Sequence, residues 1–236
     1  MRINVIQQIQ TGCECLDNYL GGGISPGNIT LIYGEPETGK TTLAMQCAIN
    51  CAMENHKTLY IDCDGTFASY RLSQIASENF DKIADLILLM KPIDFTEQAI
   101  VIDNLSEYTA KNFGLVVIDT FTSLYRAEIG VSSKKTFNLN RELNRQLAIL
   151  AQNTKTQKLP IIITSQVRSV FGDSYNSVEP VATRVLSFWA ETIISMKPTL
   201  DPQIIKAEFE KTPTNLREAY CTLRINGTGI HNCIFP

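Results

Sequence analysis

The chain has 236 residues, with 21 Lys and Arg against 24 Asp and Glu for a formal net charge of −3. Hydrophobic residues at 44% and charged residues at 19% exclude a disordered tail protein, and the length suffices for a packed core. The longest apolar runs (residues 86–90 and 160–164) fall far short of the ~20 residues that span a bilayer. The N-terminal residues have no signal-peptide core, so the expectation is a cytoplasmic protein with no membrane partner.

In chain order, residues 28–33 are β-rich, and 40–54 predict a helix with Leu43, Cys47 and Cys51 on one stripe. Residues 58–62 predict a second strand, 70–76 a helix and 86–90 a third strand. A helix is expected over 95–110, with Ile100, Leu105 and Tyr108 among its apolar positions. The run Leu115-Val116-Val117-Ile118 has the pattern of a strand buried on both faces. A helix over 137–153 carries Leu139, Leu143, Leu147 and Leu150, and 160–164 is another buried strand. After Trp189, segments 192–196, 204–209 and 221–225 read as consecutive strands. Alternation followed by a run of strands predicts an α/β fold, a mostly parallel sheet flanked by helices with an antiparallel C-terminal extension. No linker interrupts the chain, so one domain over 1–236 is expected, with 1–10 as a short lead.

Seven cysteines include a Cys13/Cys15 pair and a Cys47/Cys51 pair, but no C-x-x-C. An odd count without an export signal predicts reduced thiols packed as small core residues, and no zinc site.

Gly34-Glu35-Pro36-Glu37-Thr38-Gly39-Lys40-Thr41 matches G-x-x-x-x-G-K-[ST], between a strand and a helix. In such a loop the glycines let backbone N–H groups turn inward on phosphate oxygens, and the helix start adds positive potential. Residues 34–42, Thr42 included, are the candidate ATP-binding loop. Lys40 is assigned to the β and γ phosphates, and the Thr41 hydroxyl to Mg²⁺. Asp119, closing the apolar run 115–118, is the candidate magnesium-side carboxylate. Asp62 and Asp64 follow the second strand; a carboxylate there either orients the attacking water or caps an acidic turn. Gln166 after strand 160–164 either reports the γ-phosphate or is a surface amide.

The lead-in Thr11-Gly12, Leu16-Asp17, Leu20-Gly21-Gly22-Gly23-Ile24 and Pro26-Gly27 is followed by the phosphate loop. Then come Tyr60-Ile61-Asp62, Gly65-Thr66-Phe67, 115–120 and Thr164-Ser165-Gln166-Val167. Together these motifs resemble the ATPase core of RecA-superfamily recombinases, over about the first 200 residues. Within that superfamily the chain resembles the archaeal RadB family, short paralogues of the recombinase RadA; Ser187-Phe188-Trp189 is a softer match. About ten residues precede Thr11, which leaves no room for the recombinase's N-terminal helix–hairpin–helix domain or its Phe-x-x-Ala docking segment.

The resemblance implies a RecA-like P-loop fold with ATP and Mg²⁺ as ligands. It places Arg71 on the adenine, makes Gln166 the switch between γ-phosphate and the DNA-facing loop, and puts Asp64 where active recombinases carry Glu. Asp is shorter by ~1.5 Å, and misplacement of about 1 Å can cost ~10²-fold. The enzyme expectation is therefore at most a weak Mg²⁺-dependent ATPase. Between Lys134 and Arg168 stand seven basic residues against Glu142, a local charge of +6 that leaves −9 on the remainder. The family's DNA loops match about 132–138 and 167–181. Lys134, Lys135 and Arg168 are the candidate DNA contacts, with Phe137, Phe171 or Tyr175 to stack on bases. Arg141, Arg145 and Lys155 are expected on a solvated helix face, and Lys211 as a surface lysine rather than a reach to a neighbour's nucleotide. The leading reading is a recombination accessory protein that binds ATP and DNA, single-stranded above all. Its expected partners are a RadA-type recombinase and other recombination proteins such as a Holliday-junction resolvase. The alternatives are a strand-exchange recombinase and a KaiC-type signalling ATPase.

Overall fold

The computed structural model describes residues 8–109, 112–131, 136–170, 177–180, 182–212 and 219–233. The chain opens with helix α1 (Glu14–Leu20), strand β1 (Ile29–Gly34), helix α2 (Lys40–Met53) and strand β2 (Lys57–Asp62). Next come α3 (Ser69–Ala76), α4 (Phe80–Ile83), β3 (Ile87–Met90), α5 (Phe95–Asp103), α6 (Leu105–Tyr108) and β4 (Phe113–Asp119). They are followed by α7 (Ser123–Val131), α8 (Thr136–Gln157), β5 (Ile161–Val170), β6 (Ser177–Pro180) and α9 (Thr183–Trp189). Strands β7 (Thr192–Pro198), β8 (Ile204–Lys211), β9 (Tyr220–Asn226) and β10 (Gly229–Asn232) end it.

The sheet order is β10-β9-β8-β7-β1-β5-β4-β2-β3, with β6 paired to β5. Strands β3, β2, β4, β5, β1 and β7 run parallel, while β8, β9 and β10 add on antiparallel. The expected α/β sheet with an antiparallel extension is what the chain forms.

Period-2 alternation divides the core into two layers. Ile32, Tyr60, Leu115, Val117 and Ile162 face α2, where Leu43, Cys47 and Cys51 form the buried stripe. Leu31, Ile61, Val116, Ile118 and Ile163 face α8, where Leu143, Leu147 and Leu150 are buried and Leu139 packs at the edge. With both faces covered, the central strands read as unbroken apolar runs. Among the described residues no helix is long and apolar enough to cross a membrane.

Four expectations need correction. The helix expected over 95–110 breaks at Asn104, whose side-chain amide turns back to the Ile100 carbonyl at 2.9 Å. This competition by a short polar side chain ends α5, and α6 restarts as a single turn. Only Leu105 of the three predicted apolar positions is buried; Ile100 and Tyr108 are exposed, because α5 packs through Phe95, Gln98, Ala99 and Ile102. Residue 110 lies outside the described residues. The strand expected to end at 164 continues to Val170, paired antiparallel with β6, so the first residues of the expected second DNA loop are strand.

The last correction concerns the thiols. Cys15 on α1 and Cys221 on β9 form a disulfide, their Cα atoms 6.0 Å apart across a sequence separation of 206. Spacing along the chain carries no information about a pair created by docking α1 on β9. Cys13, Cys47, Cys51 and Cys63 are the buried thiols expected. Burial pushes Cys13 up to about 12 and Cys51 to about 11, which keeps both protonated at neutral pH.

Candidate functional site

Sheet register assembles the site. Gly34 at the end of β1 lies beside Gln166 on β5 and Met196 on β7, while Asp119 at the end of β4 lies beside Asp62 on β2. Parallel strands bring all their carboxyl ends to one rim, where open α/β sheets take their ligands.

The phosphate loop fills the gap between β1 and α2. A Cβ on Gly34 would lie 2.1 Å from the Met196 carbonyl oxygen and 2.9 Å from the Thr38 hydroxyl, so only glycine lets the chain leave the sheet there. Gly39 caps α2 with φ of +85°, and a Cβ on it would meet Ile225 at 2.7 Å and Ile230 at 3.1 Å. The β9–β10 hairpin therefore closes tightly over the loop. The Thr38 hydroxyl donates to the Glu35 carbonyl at 2.8 Å, and Lys40 Nζ donates to the same oxygen at 2.6 Å.

Lys40 is buried, 8% exposed. Burial lowers its pKa, opposed by the negative charges of Asp119, Asp64 and Glu35. Asp119 is buried as well. Its Oδ2 accepts from the Tyr60 hydroxyl at 2.7 Å, and its Oδ1 accepts from Thr164 Oγ1. Burial raises the Asp119 pKa, while hydrogen bonds from Thr164, Tyr60 and Thr41 pull it down and Asp64 pushes it up. Thr41 and Asp119, assigned separately from the sequence, are thus neighbours. A lysine and a carboxylate desolvated behind a glycine cradle fit a phosphate chain and a hard divalent cation.

Asp62 and Asp64 part company. Asp62, 1% exposed, accepts from the backbone N–H of Thr66 at 3.1 Å and of Phe67 at 3.2 Å, with Lys91 Nζ at 3.4 Å. It is the cap of an acidic turn. Asp64 accepts from the Thr66 hydroxyl at 2.6 Å on one oxygen and from the Thr120 hydroxyl at 2.9 Å on the other. Because Thr120 follows Asp119, Asp64 stands at the rim beside Asp119.

Gln166 Oε1 accepts from Arg126 Nη1. Arg71, expected on adenine, donates through its fork to the carbonyls of Asn226 and Gly227, each at 2.8 Å, in the β9–β10 turn. That turn belongs to the hairpin packed on Gly39. Tyr60, Thr120, Thr164 and Arg126 are site neighbours that the sequence reading missed. Tyr60 offered the one available signal, since a tyrosine within a strand buried on both faces has to find a hydroxyl partner.

The basic residues separate by contact. Arg145 is paired with Asp103 and Glu142 at 2.7 Å each, and Lys155 with Glu191 at 2.7 Å. Arg141 is exposed on α8. Lys211 Nζ folds back onto the Ala190 carbonyl. Phe137 stands 72% exposed at the start of α8. Arg168 lies on β5 opposite Glu179 of β6 in register. Lys134, Lys135, Phe171 and Tyr175 lie outside the described residues.

A model of the Rad51 family matches residues 1–233. The DNA repair and recombination protein RadB of Thermococcus kodakarensis is 33% identical over 227 residues, covering 95% of this chain and 99% of that protein. RadB of Methanococcoides burtonii is 33% identical over 193 residues, 82% of this chain and 84% of the relative. Among solved structures, the crystal structure of the RadB recombinase superposes with a TM-score of 0.82 at 33% identity. It covers 96% of this chain and 100% of that one.

Proposed function

The chain belongs to the Rad51 family, in its archaeal RadB branch, and from this premise we propose that it serves DNA repair and recombination as an ATP-binding accessory protein. It binds ATP with Mg²⁺ at the carboxyl rim of the sheet, hydrolyses it slowly, contacts single-stranded DNA and acts beside a RadA-type recombinase. The observation that carries this reading is the meeting of Gly34 and Gln166 in strand register with Lys40 and Thr41 beside Asp119 on the same rim. Lys40 and the backbone of residues 34–42 hold the phosphates, and Thr41 and Asp119 hold the cation, which offsets charge on the triphosphate when bound. Asp64 orients water from a position one methylene short of the longer acid.

A gel shift on single-stranded DNA, with and without MgATP, tests the proposal. Binding that responds to nucleotide supports it; no DNA binding in either state favours a signalling ATPase instead. Efficient joint-molecule formation by the protein alone would favour a strand-exchange recombinase.

Four substitutions divide the surface by role. Lys134→Ala with Lys135→Ala is expected to weaken DNA binding evenly across sequences and to lower the salt slope by about 1 per lost phosphate contact. Arg141→Ala, on the solvated face of α8, is the comparison and should leave the slope where it is. Arg71→Ala is expected to weaken adenosine nucleotides by about 1 kcal/mol, ~5-fold, through the lost stacking cation. Inorganic triphosphate should lose much less, and equal losses for the two ligands would remove Arg71 from the adenine.

A further inference from the structure

The turn that enters helix α7, and α7 itself, are joined to strand β5 at the site-facing end by three successive pairs. The Phe121 N–H donates to the Thr164 carbonyl at 3.0 Å, the Thr122 and Ser165 hydroxyls meet at 3.1 Å, and Arg126 donates to Gln166. The first two pairs are buried, with Phe121, Thr122, Thr164 and Ser165 at most marginally accessible. The third is exposed, on a helix one turn beyond its root, where the Arg126 N–H bonds the Thr122 carbonyl at 3.1 Å. The third pair is therefore the one that a ligand on the rim can reach and change.

Its chemistry sets the direction of the amide. A guanidinium has donors only, so the atom of Gln166 that faces Arg126 has to be the oxygen Oε1. The nitrogen Nε2, with two N–H donors, is then the half of the amide left for an incoming phosphate oxygen. A glutamine without Arg126 has no reason to hold this orientation, because its amide rotates about a broad, roughly two-fold torsion. Gln166 sits beside Gly34 in register, at the mouth of the phosphate loop.

We propose that Arg126 is a positioning residue that orients the Gln166 amide toward the γ-phosphate and couples nucleotide state to helix α7. This deepens the ATP-site reading above and rests on it. When a γ-phosphate oxygen takes a hydrogen bond from Nε2, the amide turns as a rigid plane and Oε1 moves with it. Arg126, bonded to Oε1, passes that movement to α7 and so to the chain that leaves it for residues 132–138.

The test uses the full chain, uniformly ¹⁵N-labelled, with MgADP or a non-hydrolysable ATP analogue. The Gln166 side-chain amide pair is assigned by its loss in Gln166→Ala. In the wild type, the Gln166 signals and the backbone amides of residues 123–131 should both differ between the two nucleotides. In Arg126→Ala, MgADP affinity should stay within about twofold while the ATP analogue loses more, and the amides of 123–131 should stop distinguishing ATP analogue from ADP. The ratio of single-stranded oligonucleotide affinities in the two states should fall from about fivefold or more to near one, the lower bound of an ordinary coupling. A helix that responds in Arg126→Ala as in the wild type overturns the proposal. So does an equal loss of DNA affinity in both nucleotide states, which would make Arg126 a simple phosphate contact. A wild type that binds neither nucleotide overturns the ATP-site reading and the coupling together. Intact nucleotide binding with unchanged coupling in the variant overturns the coupling alone.

Discussion

Lys40→Ala is expected to reduce MgATP affinity by at least ~10²-fold while the nucleotide-free protein keeps or raises its thermal midpoint. The affinity loss follows from removing a charge-assisted hydrogen bond to phosphate worth about 3 kcal/mol. The stability half follows from burial. Lys40 lies desolvated with its ammonium on the Glu35 carbonyl, and its pKa is lowered from the ordinary 10.5. A group whose folded pKa is depressed below the unfolded one binds its proton less well in the fold. The penalty is then full below the folded pKa and is relieved as pH rises through it toward 10.5. Alanine removes that penalty at neutral pH, and the Glu35 carbonyl keeps its hydrogen bond from the Thr38 hydroxyl. The wild type should accordingly gain stability relative to Lys40→Ala as pH rises through this window. Calorimetry of both proteins across alkaline pH, with isothermal titration of MgATP, checks the two halves separately. A variant that unfolds many degrees earlier at neutral pH would show that the lysine is a structural strut. Retained ATP affinity would remove it from the phosphate site.

Asp119 carries the opposite sign. Burial raises its pKa above 3.8, so the cost of its charge is present above the folded pKa and fades as pH falls. The rim therefore holds two charges that the fold alone does not favour, a stability cost of the kind accepted where function needs a preorganised cation and carboxylate.

What the sequence disclosed and what it concealed follow from distance along the chain. Gly34, Gly39, Lys40 and Thr41 were legible because the phosphate loop is a local device, its glycines demanded by turns within eight residues. Asp119 was legible because an apolar run that ends in a carboxylate marks a strand terminus. The sheet class was legible because strands buried on both faces lose their alternation. Tyr60 and Thr164 escaped because their partner Asp119 stands 59 and 45 residues away. Only strand order brings them together, and strand order is not a local property. Cys15 and Cys221 escaped for the same reason. Asp62 and Asp64 could not be separated from composition, since both belong to one acidic turn. The hydrogen bonds to Thr66, Phe67 and Thr120 divide them. Arg145 and Lys155 look like a basic stripe in sequence, and their acids Asp103 and Glu191 come from elsewhere in the fold.

Asp64→Glu is expected to raise single-turnover ATP hydrolysis about 10-fold, which is ~1.4 kcal/mol of barrier. Asp64 spends one oxygen on Thr66 and the other on Thr120, so its carboxylate is held back at the turn. Glutamate adds one methylene and, with it, the reach to leave the Thr66 hydroxyl and approach a water in line with the γ-phosphate. ATP and Mg²⁺ affinities should change little, because the proposed binding groups are Lys40, Thr41 and Asp119. Asp64→Ala should lower the residual rate and leave affinity intact, with Asp119 relieved of a neighbouring negative charge that raises its pKa. Thr120→Ala separates geometry from charge: it frees one Asp64 oxygen without altering the acid, and should move the rate upward by less than glutamate does. Single-turnover measurement excludes product release from the comparison. Rates unchanged in both Asp64→Glu and Asp64→Ala would reduce Asp64 to a turn residue like Asp62. The slow hydrolysis proposed here would then come from a site completed only by another subunit, and adding the proposed partner, a RadA-type recombinase, to the same assay would raise the rate where glutamate had failed.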